Sequence, residues 1–238
     1  MVITPNREPI VFLAGLNCTA ELFAPQFAAH GDGRPIIVAE HRLDDTLGAI
    51  VQRLLAIAPP RFAVCGLSMG GHIAFELMRQ APERVTRLAL LDTSAKGPTP
   101  ETDAARRRLM ALCDQGRFDT VCNELWQRLV APSRLGDADL RAIADRMAEA
   151  CGPDVFIRQQ QAIMKRPDSR NDLAAIRVPV LVLAGALDVI TPPDHAVEIA
   201  ALIGENARLK LVEGCGHLST LEAPAEVNHA LSQWLSQG

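Results

Sequence analysis

Gly66-Leu67-Ser68-Met69-Gly70-Gly71 is the segment best equipped for chemistry. It fits G-x-S-x-G, where a serine sits on a sharp strand-to-helix turn with its hydroxyl exposed. The apolar run Phe62 to Cys65 precedes it, and a helical stripe from Ile73 follows. The glycines let the turn close and hold Ser68 in a strained backbone conformation. The helix start behind the serine favours negative charge developing there. The bland alternative is a glycine-rich turn with an N-cap serine, and the flanking strand and helix argue against it.

A serine needs a base to become a useful nucleophile. Of six histidines, His217 stands out. It follows the run Leu209 to Val212 through Glu213-Gly214-Cys215-Gly216 and precedes the last helical stripe. That places it at the carboxyl edge of a sheet, where open α/β sheets bind ligands. His41, after the run Ile36 to Val38, is the other site-facing candidate. His72 lies on the helix after Ser68 and would point elsewhere; His30, His195 and His229 read as surface residues. The base in turn needs a carboxylate to fix its tautomer. Asp188, just after the run Val180 to Ala184, is preferred, and Asp92, just after Leu88 to Leu91, is its rival.

These residues need a sheet to position them. Short, almost continuously apolar runs begin at Ile10, Ile36, Phe62, Leu88, Val180 and Leu209, the pattern of strands buried on both faces. Helical stripes separate them: Leu47, Ile50, Val51, Leu54 and Leu55; Ile73, Ala74, Leu77 and Met78; Val227, Ala230, Leu231 and Trp234. The alternation predicts an α/β fold, a doubly wound and mostly parallel sheet. Between Thr99 and Asp172 no strand-like run occurs, and Gly116, Pro132, Gly136, Gly152 and Pro153 divide the stretch into about four helices. Residues 1–98 and 173–238 are therefore expected to form the core, and 99–172 an inserted helical cap.

The elbow, the aspartate loop and the Gly-His loop together resemble the α/β-hydrolase superfamily, over essentially the whole chain. Their order, Ser68, Asp188, His217, is that family's and not that of the chymotrypsin or subtilisin types. The resemblance implies a capped, carboxylesterase-like serine hydrolase. It also implies an oxyanion hole made by the backbone N–H groups of Leu16 and Met69, because Leu13-Ala14-Gly15-Leu16 resembles the family's oxyanion loop. Ala14 stands where that loop usually has histidine, and Glu40-His41-Arg42-Leu43-Asp44 replaces the usual Asp-x-Arg-Gly-x-Gly-x-Ser stretch. With nine residues before Ile10, the first two strands usual in the fold are expected to be short or missing. A serine nucleophile argues against haloalkane dehalogenase and epoxide hydrolase chemistry.

Composition narrows the rest. A formal charge of -4 carries no footprint for nucleic acid. The longest apolar runs fall far below the roughly 18 residues that span a bilayer. The start of the chain lacks a signal-peptide pattern. Six cysteines without a C-x-x-C pair read as free thiols, so a cytoplasmic location is expected. Of these, Cys18, Cys65 and Cys215 fall near the site in sequence, as buried small hydrophobes or as a further reactive group. No metal-ligand spacing is present, and neither metal nor cofactor is expected. Arg106-Arg107-Arg108, Arg166 and Arg170 read as a solvated helix face, or as a basic surface for an anionic substrate or carrier. Phe118, Trp126, Phe156 and Met164 form the cap core or line an acyl pocket.

The expected activity is cleavage of a small-molecule carboxylic ester, with thioester or lactone as variants, through an acyl-enzyme. Acyl transfer, C–C bond hydrolysis and perhydrolysis use the same triad, and a non-catalytic small-molecule receptor is the alternative of another class. The substrate and the oligomeric state are left open.

Overall fold

A computed structural model describes residues 7–236. Six parallel strands form one sheet in the order β2-β1-β3-β4-β5-β6. In chain order the main elements are β1 (Ile10–Leu13), α1 (Ala24–His30), β2 (Ile36–Val38), α2 (Leu47–Ile57), β3 (Phe62–Leu67), α3 (Met69–Gln80) and β4 (Val85–Leu91). Then come α4 (Pro100–Asp114), α5 (Phe118–Leu129) and α6 (Ala138–Met164), followed by β5 (Val180–Gly185), α7 (Pro193–Ile203), β6 (Ala207–Val212), α8 (Ser219–Glu222) and α9 (Pro224–Leu235). All six apolar runs are strands of this one sheet. Residues 1–6 lie outside the described part, and residues 7–9 form no strand.

Successive strand residues point to opposite faces. Val11, Leu13, Val64, Leu88 and Val182 pack with Ile50, Leu54, Ile73, Leu77 and Ile199, from α2, α3 and α7. Phe12, Ala63, Leu91 and Leu183 pack with Phe23, Leu231 and Trp234, the last two from α9. Each fully buried side chain of this size contributes about 1.5–3 kcal/mol of transfer free energy. The two-sided burial explains why the inner strands lack alternation. Edge strand β6 is covered less, and Leu209 on it is exposed.

Helices α4 to α6 leave the sheet after β4 and return to it before β5. Thr99 and Thr102 cap the start of α4 reciprocally. Gly152, at φ 72°, breaks α6 into two stretches, and Pro153 opens the second. No helix among the described residues is long and apolar enough to cross a membrane.

Because every strand is parallel, all carboxyl ends share one edge. Ser68 follows β3, Asp92 follows β4, Asp188 lies beyond β5, and His217 lies beyond β6. Four neighbouring strands thus deliver four chemically active side chains to one rim.

Candidate active site

The turn at Ser68 is built by close backbone approaches. Ser68 has φ 56° and ψ −113°, a region that costs a non-glycine residue about 1–3 kcal/mol. Its amide donates to the Leu91 carbonyl at 2.9 Å, and its own carbonyl accepts from Thr93 Oγ1 at 2.8 Å. A Cβ on Gly70 would lie 1.9 Å from the Leu13 carbonyl oxygen, and one on Gly66 would lie 2.4 Å from that of Gly70. No side chain fits at either position, so the glycines let β1, β3 and α3 meet around the serine.

His217 Nε2 lies 2.9 Å from Ser68 Oγ, and His217 Nδ1 lies 2.7 Å from Asp188 Oδ2. The carboxylate fixes the proton on Nδ1 and leaves Nε2 to accept from the serine hydroxyl. Asp188 also accepts from the Ile190 and Thr191 amides at 2.8 and 3.1 Å, and from Thr191 Oγ1 at 2.7 Å. Burial works against its charge, but His217 and these donors hold its carboxyl below the usual range. Burial likewise disfavours the His217 cation. Asp188 outweighs it, with help from Asp92 and Glu222, and the imidazole is raised above its ordinary value.

Several residues missed in the sequence hold these loops. Glu222 accepts from the Gly216, Leu218 and Ala131 amides at 2.7–3.1 Å, and so fixes the backbone on both sides of His217. The His217 and Leu218 amides donate to the Leu129 carbonyl at the end of α5. Asp92 makes no hydrogen bond to His217. It takes the Gly185 amide at 2.8 Å and the Ser219 hydroxyl instead. It is fully buried, and desolvation with the nearby Asp188 charge pushes its carboxyl up to about 7.

The loop after β1 lies against the elbow through the Leu13–Gly66 register. Among the described residues, neither the Leu16 nor the Met69 amide makes a hydrogen bond, so both are available as donors. His41 Nε2 lies 3.1 Å from the Gly15 carbonyl. A carbonyl only accepts, so Nε2 carries the proton there. His41 therefore grips the peptide whose N–H belongs to Leu16, and does not face Ser68 as a base. Asn17, left-handed at φ 59°, donates its amide to Gln159 Oε1 at 2.8 Å. Gln159 is fully buried on the second stretch of α6. Phe156, Gln159, Gln160 and Ile163 are all buried at i, i+3, i+4, i+7 spacing, a stripe that its two glutamines disguise in the sequence.

The remaining candidates fall elsewhere. His30 is a correction: it is buried, because α1 packs against α9 and carries the ring inward. His229 is exposed and His195 half-buried. Burial pushes the Cys65 and Cys215 thiols up and the Cys18 thiol up to about 12, so none supplies a thiolate near neutral pH. Phe118 and Phe156 stack edge-on at 5.9 Å in a small cluster with Val121, against which Leu16 packs. Trp126 packs instead with the α9 side of the core. Among the described residues no cluster of His, Cys, Asp or Glu could hold a metal ion.

The sequence pattern of the alpha/beta hydrolase family matches residues 8–230. The chain belongs to that family. Among other alpha/beta hydrolases it is 32% identical, over 76% of each chain, to the pimeloyl-[acyl-carrier protein] methyl ester esterase of Aromatoleum aromaticum. It is 26% identical to 3-oxoadipate enol-lactonase 2 of Acinetobacter baylyi, covering 95% of this chain and 88% of that one. In structure it resembles a thermophilic esterase from Thermogutta terrifontis, with a TM-score of 0.87 and 24% identity over 98% of this chain and 90% of that one. At that identity the structural likeness speaks for the fold. These three are named as a methyl ester esterase, an enol-lactonase and an esterase.

Proposed function

We propose that this alpha/beta hydrolase cleaves a carboxylic ester, thioesters and lactones included, through a covalent acyl-serine. One observation carries the reading: the hydrogen-bonded line from Ser68 Oγ through both ring nitrogens of His217 to Asp188. Ser68 attacks the carbonyl carbon while His217 Nε2 takes its proton. The oxyanion is received by the Leu16 and Met69 amides. His217 returns the proton to the leaving alcohol, and the acyl–Ser68 ester remains. Water, deprotonated by His217, then releases the acid and restores the serine.

The relatives named as a methyl ester esterase and an enol-lactonase support cleavage of a C–O acyl bond. No step calls on a cofactor. The six free thiols support a reducing, cytoplasmic setting.

Hydrolysis of p-nitrophenyl esters from acetyl to dodecanoyl, by wild type and Ser68→Ala, tests the reading. Turnover by wild type, lost in Ser68→Ala, is expected, and the chain-length profile sizes the acyl pocket. Silence of both proteins toward every ester would sink simple ester hydrolysis and favour acyl transfer, C–C cleavage or ligand binding without turnover.

A further inference from the structure

We infer that Arg106, with Arg166 beside it, forms an anion subsite that binds a carboxylate carried by the substrate. This role rests on the proposed ester hydrolysis. The class implied is an ester or lactone with a free carboxylate, such as a monoester of a dicarboxylic acid.

The basic residues that look alike in the sequence separate in the structure. Arg107 is exposed, Arg108 pairs with Glu124, and Arg170 pairs with Asp168 and Glu198. These are solvated surface charges. Arg106 and Arg166 turn inward, and neither belongs to an ion pair among the described residues. Arg166 spends its N–H groups on the Lys96 and Ile163 carbonyls, at 2.8–3.3 Å. Arg106 donates to Gln160 Oε1, and its Nε is buried without a partner. Burial and the neighbouring Arg166 push its guanidinium down to about 10, so it stays charged near neutral pH.

Arg106 is tied to the oxyanion loop through α6. Both arginines act on His72, one helical turn beyond Ser68, and together with burial they hold its imidazole neutral. Gln160, which accepts from Arg106, neighbours Gln159, which holds Asn17 beside Leu16. Arg106 is therefore bonded to the helix that covers the oxyanion loop. The carboxylate common to both arginines is Asp103, one turn back on α4. It attracts both arginines but pairs with neither, and its own buried Oδ1 has no partner. Arg128, whose Nη2 lies 3.4 Å from the Val189 carbonyl, adds a third positive charge beside the Asp188 loop. Asp168 also attracts Arg166, so three guanidinium groups meet two carboxylates and the cluster keeps a net positive charge. A guanidinium removed from water is costly until an anion meets it, and its fork matches a carboxylate bidentately.

The test compares kcat/KM for the monomethyl and dimethyl esters of succinic, glutaric and adipic acids near neutral pH. Wild type is expected to prefer the charged monoester by about tenfold or more, the range of a charge-assisted hydrogen bond. Arg106→Gln lowers that ratio about tenfold, Asp103→Asn raises it, and Arg107→Gln leaves it as in wild type. Equal hydrolysis of both esters by wild type, or a preference that survives Arg106→Gln, overturns the subsite and leaves ester cleavage standing. Calorimetric binding of the monoester to Ser68→Ala, with and without Arg106→Gln, decides the case of no turnover. Binding lost with Arg106→Gln upholds the subsite while ester cleavage falls; absence of binding overturns the subsite as well.

Discussion

Asp92 accepts the hydroxyl of Ser219, two residues beyond His217, and with its other oxygen holds the amide of Gly185, three residues before Asp188. One buried carboxyl thus ties the base loop to the acid loop. It lies at the end of β4, between the strands that carry the nucleophile and the acid. Its role by geometry is to position both partners rather than to touch the imidazole.

That location makes Asp92→Asn informative. The carboxyl is raised to about 7 in the folded chain, against about 3.8 for an unperturbed aspartate. Below that lower value both states are protonated and the effect vanishes. As pH rises through the window, the unfolded chain ionises first, so folding is progressively penalised until about pH 7. At roughly 1.4 kcal/mol per pK unit, the penalty is a few kcal/mol. Asn keeps the shape and an acceptor for Gly185, and its NH2 can donate to Ser219 Oγ. The variant should melt higher than wild type at pH 8 and show no gain at pH 4. Its kcat/KM acid limb should also move to lower pH, because the Asp92 charge helps to raise His217. A lower melting point at pH 8 would remove the argument.

His217 must be neutral to accept the Ser68 proton. Its folded pKa is raised, chiefly by Asp188 working against burial. Activity should therefore fall as pH drops through a midpoint above 6.5, the ordinary value for histidine. Asp188→Asn removes the charge and lets the ring take the wrong tautomer. A loss of about 10⁴ in kcat is expected, with the acid limb shifted downward. A pH–rate profile of both proteins checks it; an unmoved limb would mean that another group controls the ionisation.

The legibility of this chain follows from how each feature is encoded. Strands buried on both faces announce themselves as apolar runs, so all six were readable. Gly66, Gly70 and Ser68 sit within one short segment and carry their own context. What escaped was set by tertiary packing. His30 lies at the end of a short helix whose burial depends on α9, distant in sequence. Glu222 reaches backward to Gly216 and Ala131, which no local motif signals. Within Arg106-Arg107-Arg108, only the rotation of α4 decides which side chain turns inward. Gln159 and Gln160 were hidden by composition, because a glutamine at a buried stripe position reads as solvent-facing.

Ser68 holds its backbone at φ 56°, ψ −113°, where a Cβ is strained. Ser68→Gly relieves about 1–3 kcal/mol of strain. It adds about 0.4–1 kcal/mol of chain entropy to the unfolded state. The strain relief wins, and a net gain of about 1 kcal/mol is expected in urea or thermal unfolding. Activity should vanish in the same variant. Stability traded for the nucleophile in this way would mark the turn as a functional strain; a less stable Ser68→Gly would show that the surrounding contacts, not the torsion, dominate.

His41 offers the sharpest test of the oxyanion hole. Its Nε2–H binds the Gly15 carbonyl, which is the other side of the peptide bearing the Leu16 N–H. In a trans peptide the two groups point in opposite directions, so anchoring one aims the other. His41→Phe keeps a buried ring and removes the anchor. The Gly15 carbonyl still receives the Cys18 amide at 3.3 Å, so the stability cost should stay near 1 kcal/mol. Loss of a full oxyanion donor costs about 10²–10³ in kcat, and a misdirected one should cost about 10–100-fold. Because the oxyanion forms only beyond the ground state, kcat should fall while KM barely moves. His41→Gln, which restores a donor at similar reach, should recover part of kcat. If KM rises and kcat holds instead, His41 shapes substrate binding, and the Leu16 amide is not the donor it positions.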